Sequence, residues 1–494
     1  MPTTTSTVFP SYARDIVWGL FYFALYLLVN AYLITRADLC IDEVIDFHGF
    51  NSDIYIAAGR WGLYGYRYLM GQGIFPITAG IMAGLFISTA ILIQTKIFNF
   101  NHYFTKASYG LLYIACNQWS SQLVYSFQSD AVACALLLCT IGVYKLQRHQ
   151  CYTIPVICLT LALSAYQSCA TYFLIIYCAS IIANKDISIK SIFLSACVFI
   201  IACALYFLIS HIIKNSDLLR PATRVYVSGY QSAICGWGTF PALSIIAKIQ
   251  FFLHYCKVTL TEAVGFGALA SPLQISTLIP LGYLVTTNFL KNNGYQRFIH
   301  PLIITIIWVL PFTMHLLIAG TTETRTLLGE PVALAFLWSM SCNSMHIPRL
   351  GRMIFTGILT FFLLKAAYTN TATSRNNAYI YSRAVHELQS IHLSGKLLAR
   401  ERQLLPKTPI ILLVHPSAQE NLTRPLSSHR DFIIERTLSG SIRWHINHLR
   451  LTGMTKGNAE HLEKHKEALQ TMTCWPEPGS MIVNKGDIIV RIHP

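Results

Sequence analysis

Six charged residues stand in the stretch ADLCIDEVIDFHGFNSDIYIAAGRWG, residues 37–62: Asp38, Asp42, Glu43, Asp46, Asp53 and Arg60. The chain as a whole is only 12% charged. A lone acid after an apolar run most often just solvates a loop end. Asp42 and Glu43 are adjacent, however, so each raises the proton affinity of the other, and a nearby low-dielectric phase raises it further. A carboxylate tuned in this way serves as a general base near neutral pH. The chemistry it suits is removal of a proton from a hydroxyl nucleophile.

Arginines supply the opposite charge. Arg60 follows in Gly59-Arg60-Trp61, and Glu323-Thr324-Arg325 occupies a short interval between the apolar runs 298–322 and 331–348. Taken singly, an arginine at such a place most often snorkels to a lipid headgroup. A guanidinium fixed in a short loop can also hold a phosphate in a bidentate fork and stabilise charge on it as it leaves. Arg60 and Arg325 are therefore the candidate phosphate-binding residues. Trp61, Tyr166, Gln167 and Glu323 are candidate substrate contacts, because aromatic faces with polar partners bind sugar rings. The same aromatics fit an interfacial belt, and residue type alone does not separate the two.

The elements that position these groups follow from composition. The chain has 494 residues, 53% of them hydrophobic, and a mean hydropathy of +0.47, which indicates a polytopic α-helical membrane protein. Ile16 to Ile34 is a charge-free run of 19 residues, enough at ~1.5 Å per residue to cross a ~30 Å hydrocarbon core. Further uncharged runs occupy 74–95, 107–129, 131–144, 149–184, 191–213, 263–290, 298–322, 331–348 and 353–364. Between them lie Lys96, Lys106, Lys145, Arg148, Lys185, Lys190, Lys291, Arg297, Arg349 and Arg352 against a single acid, Asp186. By the positive-inside rule those loops are cytoplasmic. Residues 107–144 and 149–184 then each cross twice, turning near Tyr125 to Gln128 and near Ala165 to Ser168. The expectation is eleven spans with the N-terminus inside, and 241–262 as an amphipathic helix in the outer interface. Asp42, Glu43, Arg60, Asp130, Glu323, Arg325 and Glu330 all fall on the outer face.

Composition changes after Leu364. Residues 1–370 read as the transmembrane catalytic domain, with 35–73 as its first outer loop, and 371–494 as a soluble α/β tail domain on the outer side. The tail has strand-like pieces at 409–414 and 486–492 and helical stretches near 376–402 and 456–471. The 14 cysteines lie mostly inside apolar runs without metal or disulfide spacing. The net charge of +15 is scattered between the spans, without a nucleic-acid-binding motif. No metal ligand set and no required cofactor emerges, although the acidic cluster could hold a divalent cation.

The stretch CIDEVIDFHGFNSDIYIAAGRWG resembles the first outer loop of the serotype-converting O-antigen glucosyltransferases of temperate bacteriophages, the glucosyl transferase type II family. LALSAYQSCATYF, ETRTLLGEPVALAF and CWPEPGSMIVNKGDIIVRI extend the resemblance over most of the chain. It implies a glycosyltransferase C-like architecture in a bacterial inner membrane, acting at the periplasmic face. The implied donor is a polyprenyl-phosphate sugar, undecaprenyl-phosphate glucose, and the implied acceptor an O-antigen or similar lipid-linked polysaccharide. The base would be Asp42 or Glu43; Asp-Glu stands here where Asp-Asp is also common, so both remain candidates. A transporter or flippase of a lipid-linked saccharide is the rival from another class. It calls for ionisable groups at mid-membrane and often an inverted repeat, whereas these charges sit at the span ends on one face. An O-antigen polymerase or ligase is the rival enzyme, distinguished by a donor that carries a whole glycan.

Overall fold

The structure is a computed structural model, and it describes residues 11–35, 55–56, 58–71, 76–123, 126–149, 152–184, 189–215, 245–250, 253, 277–292, 294–313, 327–344, 349–405, 408–414, 451–457, 459–473 and 475–492. It divides into two compact units, one running to Thr371 and the other continuing to Pro494.

The first unit is helical. Its elements are α1 (Ser11–Thr35), α2 (Trp61–Met70), α3 (Pro76–Ile97), α4 (Tyr103–Ala115), α5 (Asn117–Leu123), α6 (Ser126–His149), α7 (Thr153–Ala165), α8 (Cys169–Asn184), α9 (Ile189–Asn215), α10 (Leu278–Lys291), α11 (Gln296–Val309) and α12 (Glu330–Ser344). The helix α13 (Arg349–Glu401) follows. Among the described residues, four segments are long and apolar enough to cross a membrane: Tyr12–Ala31, Ile77–Ile97, Gln128–Arg148 and Lys190–Ile213. The first and last are only 17% and 22% buried. Ile16, Leu20 and Leu28 of α1 and Phe193, Ile200 and Phe207 of α9 are all exposed. Apolar helices that leave most of their surface uncovered require an apolar surrounding.

The two shorter helices of the expected hairpin, α7 and α8, have 13 and 16 residues, about 20 and 24 Å at ~1.5 Å per residue. They are joined at Tyr166–Ser168, within the expected turn. The other expected hairpin is interrupted, with the short α5 standing between α4 and α6. Of the expected interfacial helix over 241–262, residues 245–250 are helical and most of the rest lies outside the described residues.

Helix α6 is central. It packs on α3, α7 and α8, while α3 also meets α1, and α7 also meets α9. A polar knot fastens the centre. Gln94 donates to Thr140 Oγ1 at 3.1 Å and to the Tyr172 hydroxyl at 2.6 Å, and accepts from Tyr109 at 2.5 Å. Tyr113 and Tyr172 share a further bond of 2.9 Å. All five residues are buried, so satisfying one another removes the penalty each would carry alone in an apolar core.

The second unit carries a four-stranded sheet of order β2-β1-β4-β3, with β1 (Ile410–Val414), β2 (Met454–Lys456), β3 (Met481–Asn484) and β4 (Asp487–Ile492). Strand β1 is parallel to β2 and β4, and β3 is antiparallel to β4. Strand alternation sorts two cores. Ile410, Leu412, Ile488 and Val490 pack with Leu388 and Ile391 of α13. Ile411, Leu413 and Ile489 pack with Leu462 of α14 (Ala459–Lys464) and Leu469 of α15 (Lys466–Thr471). The β3–β4 hairpin turns on Lys485 and Gly486, with φ of 50° and 84°. A two-residue turn with both centres left-handed matches the twist of the strands it joins.

Candidate functional site

Asp42, Glu43, Glu323 and Arg325 lie outside the described residues. The other four sequence candidates, Arg60, Trp61, Tyr166 and Gln167, come together at one end of the helical unit. There α2 packs on α7 and α6.

The chain enters α2 through a tight turn. Gly59 N–H donates to Ile56 O at 2.9 Å and Arg60 N–H to Tyr55 O at 2.7 Å. Gly59 has φ +79°, and a Cβ there would lie 2.6 Å from the Tyr206 hydroxyl. Two independent constraints thus require glycine at this position. Three residues on, a Cβ on Gly62 would fall 2.0 Å from Ser164 Oγ and 3.0 Å from the Ser164 backbone. The missing side chain lets α2 lie directly against the end of α7.

Gln167, just past α7, ties three segments together. Its amide nitrogen donates to Ala58 O and to the Tyr206 hydroxyl of α9, both at 3.0 Å. Trp61 Nε1 donates to Ser210 Oγ at 3.2 Å, fixing the start of α2 to α9 as well. The Arg60 guanidinium carbon lies 4.8 Å from the centroid of the Tyr166 ring. Arg60 Nε is buried and has no hydrogen-bond partner among the described residues. A guanidinium stacked on an aromatic face keeps its in-plane N–H groups for an anion.

Arg67, about two turns further along α2, is committed elsewhere. It pairs with the Asp130 carboxylate of α6, with side chains 5% and 3% exposed. Asp130 also accepts from the Tyr66 hydroxyl at 3.2 Å and from Ala131 N–H at 2.9 Å. Burial pushes the Arg67 guanidinium down to about 10, opposed by Tyr66 and Tyr55. It stays charged at neutral pH, as the pairing demands. Burial pushes the Tyr66 phenol up to about 12, against the lowering effect of Arg67, so it remains a donor.

Sequence reasoning singled out Gln167 but not three other buried amides. Gln118 and Gln122 on α5 and Gln128 on α6 are each at most 2% exposed. Gln118 donates to the buried Glu330 carboxylate at the start of α12. Both polar atoms of Gln122 and the Gln128 oxygen lack a partner among the described residues. The available signal was the spacing of amides within the otherwise uncharged run 107–129. Among the described residues no group of His, Cys, Asp and Glu converges to hold a metal ion.

A family model described as glucosyl transferase GtrII matches residues 31–341. No curated protein matches the chain. The matched span includes α2, the Arg60 turn, α5 to α9 and the start of α12.

Proposed function

Because the chain belongs to the GtrII glucosyl transferase family, we propose that it moves glucose from a polyprenyl-phosphate donor, undecaprenyl-phosphate glucose, to a hydroxyl of O-antigen or a related lipid-linked polysaccharide. The reaction takes place at the periplasmic face of a bacterial inner membrane. The acceptor hydroxyl attacks the anomeric carbon, Asp42 or Glu43 takes its proton, and the lipid phosphate departs with the bonding electron pair. A single displacement with inversion is the simplest course, since retention needs a second suitably placed carboxylate. Arg60 and Arg325 hold the phosphate. Trp61, Tyr166, Gln167 and Glu323 shape the sugar site, and residues 371–494 form a periplasmic tail.

The observation that carries this reading is the Arg60–Tyr166 stack. It holds a guanidinium whose Nε has no partner among the described residues at the start of the helix that follows the acidic segment. The buried amide of Gln122 and the buried Gln128 oxygen, without partners among the described residues, add groups that a sugar hydroxyl would satisfy. The steps as written call for no metal, and the acidic cluster around Asp42 and Glu43, which lies outside the described residues, has the oxygen ligands that a divalent cation takes.

The test uses purified protein, radiolabelled polyprenyl-phosphate glucose and an O-antigen acceptor. Asp42→Asn or Glu43→Gln should lower turnover by ~10²- to 10⁴-fold, the usual range for losing general-base assistance, while donor binding survives. Full transfer by the double variant, with normal expression and insertion, would overturn the assignment of the base.

A further inference from the structure

The other end of the helical unit holds a recess of about 680 Å³. It lies where α3, α6 and α8 end and where α7 and α9 begin. Its volume falls in the range of small-molecule and headgroup sites. Lys96, Arg148 and Lys190 line it together with the amides Asn99, Gln147 and Asn184, and no carboxylate is among its described lining residues.

The floor of the recess is organised. Asn184 donates to Gln147 Oε1 at 2.9 Å and to Ile97 O at 3.3 Å. Asn99 donates to Asn184, and Gln147 to the buried Ser180 hydroxyl. These bonds lock the ends of α3, α6 and α8 against one another. The cations differ in their freedom. Lys96 is paired with Asp15 at 2.5 Å, whereas Arg148 and Lys190 have no carboxylate partner among the described residues. Arg148 lies only loosely over the Tyr144 ring, at 5.8 Å. Cations facing water at helix ends need no recess and no hydrogen-bonded amide floor. Arg148 and Lys190, with no paired acid among the described residues, repel each other across the cavity, and an anion between them reverses that term. The first turn of α9 brings backbone N–H groups, which have no acceptor within the helix, beside Lys190 and Ser191.

We propose that this recess is a second binding site, taking a phosphate-bearing anion at the end of the helical unit remote from Arg60, with Arg148 and Lys190 as its cationic arms. The phosphate can come from an anionic phospholipid headgroup or from a free phosphate. A basic pocket between membrane helices suits the first source. Lys96 and the amides supply the remaining contacts.

The experiment uses the full chain in neutral detergent. Native mass spectrometry would count retained phosphatidylglycerol against phosphatidylcholine, and a thermal-shift titration would use inorganic phosphate. Wild type should retain phosphatidylglycerol selectively, and Arg148→Gln with Lys190→Gln should weaken that retention at least ~10-fold. The charge-preserving pair Arg148→Lys and Lys190→Arg should restore most of it. Lys190→Gln alone, at an exposed position, provides a variant whose fold is not in question. Binding of inorganic phosphate without phosphatidylglycerol would identify a soluble source for the same site. Binding of neither by wild type, or equal binding by wild type and the double glutamine variant, would overturn the proposal. None of these variants touches the Arg60 region, so failure here leaves the transferase reading standing.

Discussion

Arg67 on α2 and Asp130 on α6 form an ion pair in which both residues are at most 4% exposed. Removing one member of such a pair leaves the other charge buried, which typically costs ~3–5 kcal/mol. Asp130→Ala should therefore destabilise the protein by that order, read as a lowered thermal midpoint in detergent. Replacing both with apolar residues of similar size, Arg67→Met with Asp130→Leu, should recover much of the loss. A neutral single variant would show that the pair does not hold α2 in place.

The close approach of α2 to α7 gives a steric prediction. Gly62→Ala drives a methyl group into Ser164, and Gly59→Ala adds a left-handed alanine pressed on the Tyr206 hydroxyl. Both should lower turnover, because both displace the backbone that carries Arg60. Combining Gly62→Ala with Ser164→Gly should restore part of the activity, since it removes the hydroxyl that clashes. Gly65, with open space around its Cβ position, should accept alanine with little effect.

Charge spacing made some of this arrangement legible in one dimension. Residues 149–184 are uncharged and bracketed by Arg148 and Lys185, and that alone locates the turn at Tyr166 and Gln167. The runs PIILLV and GDIIVRI likewise announce β1 and β4. What stayed hidden depends on pairing across the fold. Arg60 and Arg67 look equivalent as letters, yet Arg67 is committed to Asp130, 63 residues away in sequence, while Arg60 lies over the Tyr166 ring with no carboxylate partner among the described residues. Residues 61–70 read as part of a loop because WGLYGYRYLM is too short to be a span and carries Arg67 between two apolar runs. They form helix α2, and Gly62 lets that helix lie against α7. The buried glutamines escaped notice because amides carry no charge for a topology argument to use.

The stack of Arg60 on Tyr166 separates two contributions of the aromatic residue. Tyr166→Phe keeps the ring and should leave donor use close to wild type. Tyr166→Leu removes the cation–π contact, worth ~0.5–2 kcal/mol, and should raise the donor KM by a few-fold to about thirtyfold. Arg60→Lys keeps charge without the planar fork and should recover little of the loss seen with Arg60→Gln. Steady-state kinetics with a polyprenyl-phosphate glucose donor would read all four.

The second unit has its own acid sensitivity. His465 is buried and its Nε2 donates to Asp487 at 3.1 Å, while Nδ1 is buried without a partner among the described residues. Burial holds the imidazole pKa below 6.5, outweighing the raising effect of Asp487. An unfolded chain therefore binds this proton before the folded one does, and stability falls as pH drops below about 6.5. Asp487 is disfavoured as an anion by burial, but hydrogen bonds from Lys464 and His465 bring its pKa below 3.8. Its contribution is present above that value and is lost at still lower pH. Hydrogen-exchange protection of β4, corrected for the intrinsic exchange rate at each pH, should fall from pH 6.5 downward, and His465→Gln should flatten the upper part of that dependence.

The proposed orientation of the tail has a direct readout. In a background without cysteine, Glu477→Cys introduces a thiol at an exposed position of the second unit. It should react with a membrane-impermeant reagent added to intact spheroplasts. Labelling only after the membrane is broken would place residues 371–494 in the cytoplasm and cancel the eleven-span topology.

The Gln167 amide serves the Ala58 carbonyl and the Tyr206 hydroxyl at once, and that same hydroxyl fills the space a side chain at position 59 would need. Positions 59, 167 and 206 therefore share a single evolutionary fate. A lineage that exchanges Gln167 for a residue with one donor frees either the backbone turn or the tyrosine, and drift at 59 or 206 should follow. Across natural relatives the three should change together or not at all, a pattern of inheritance that alignment of enough diverged sequences would reveal without any enzyme being assayed.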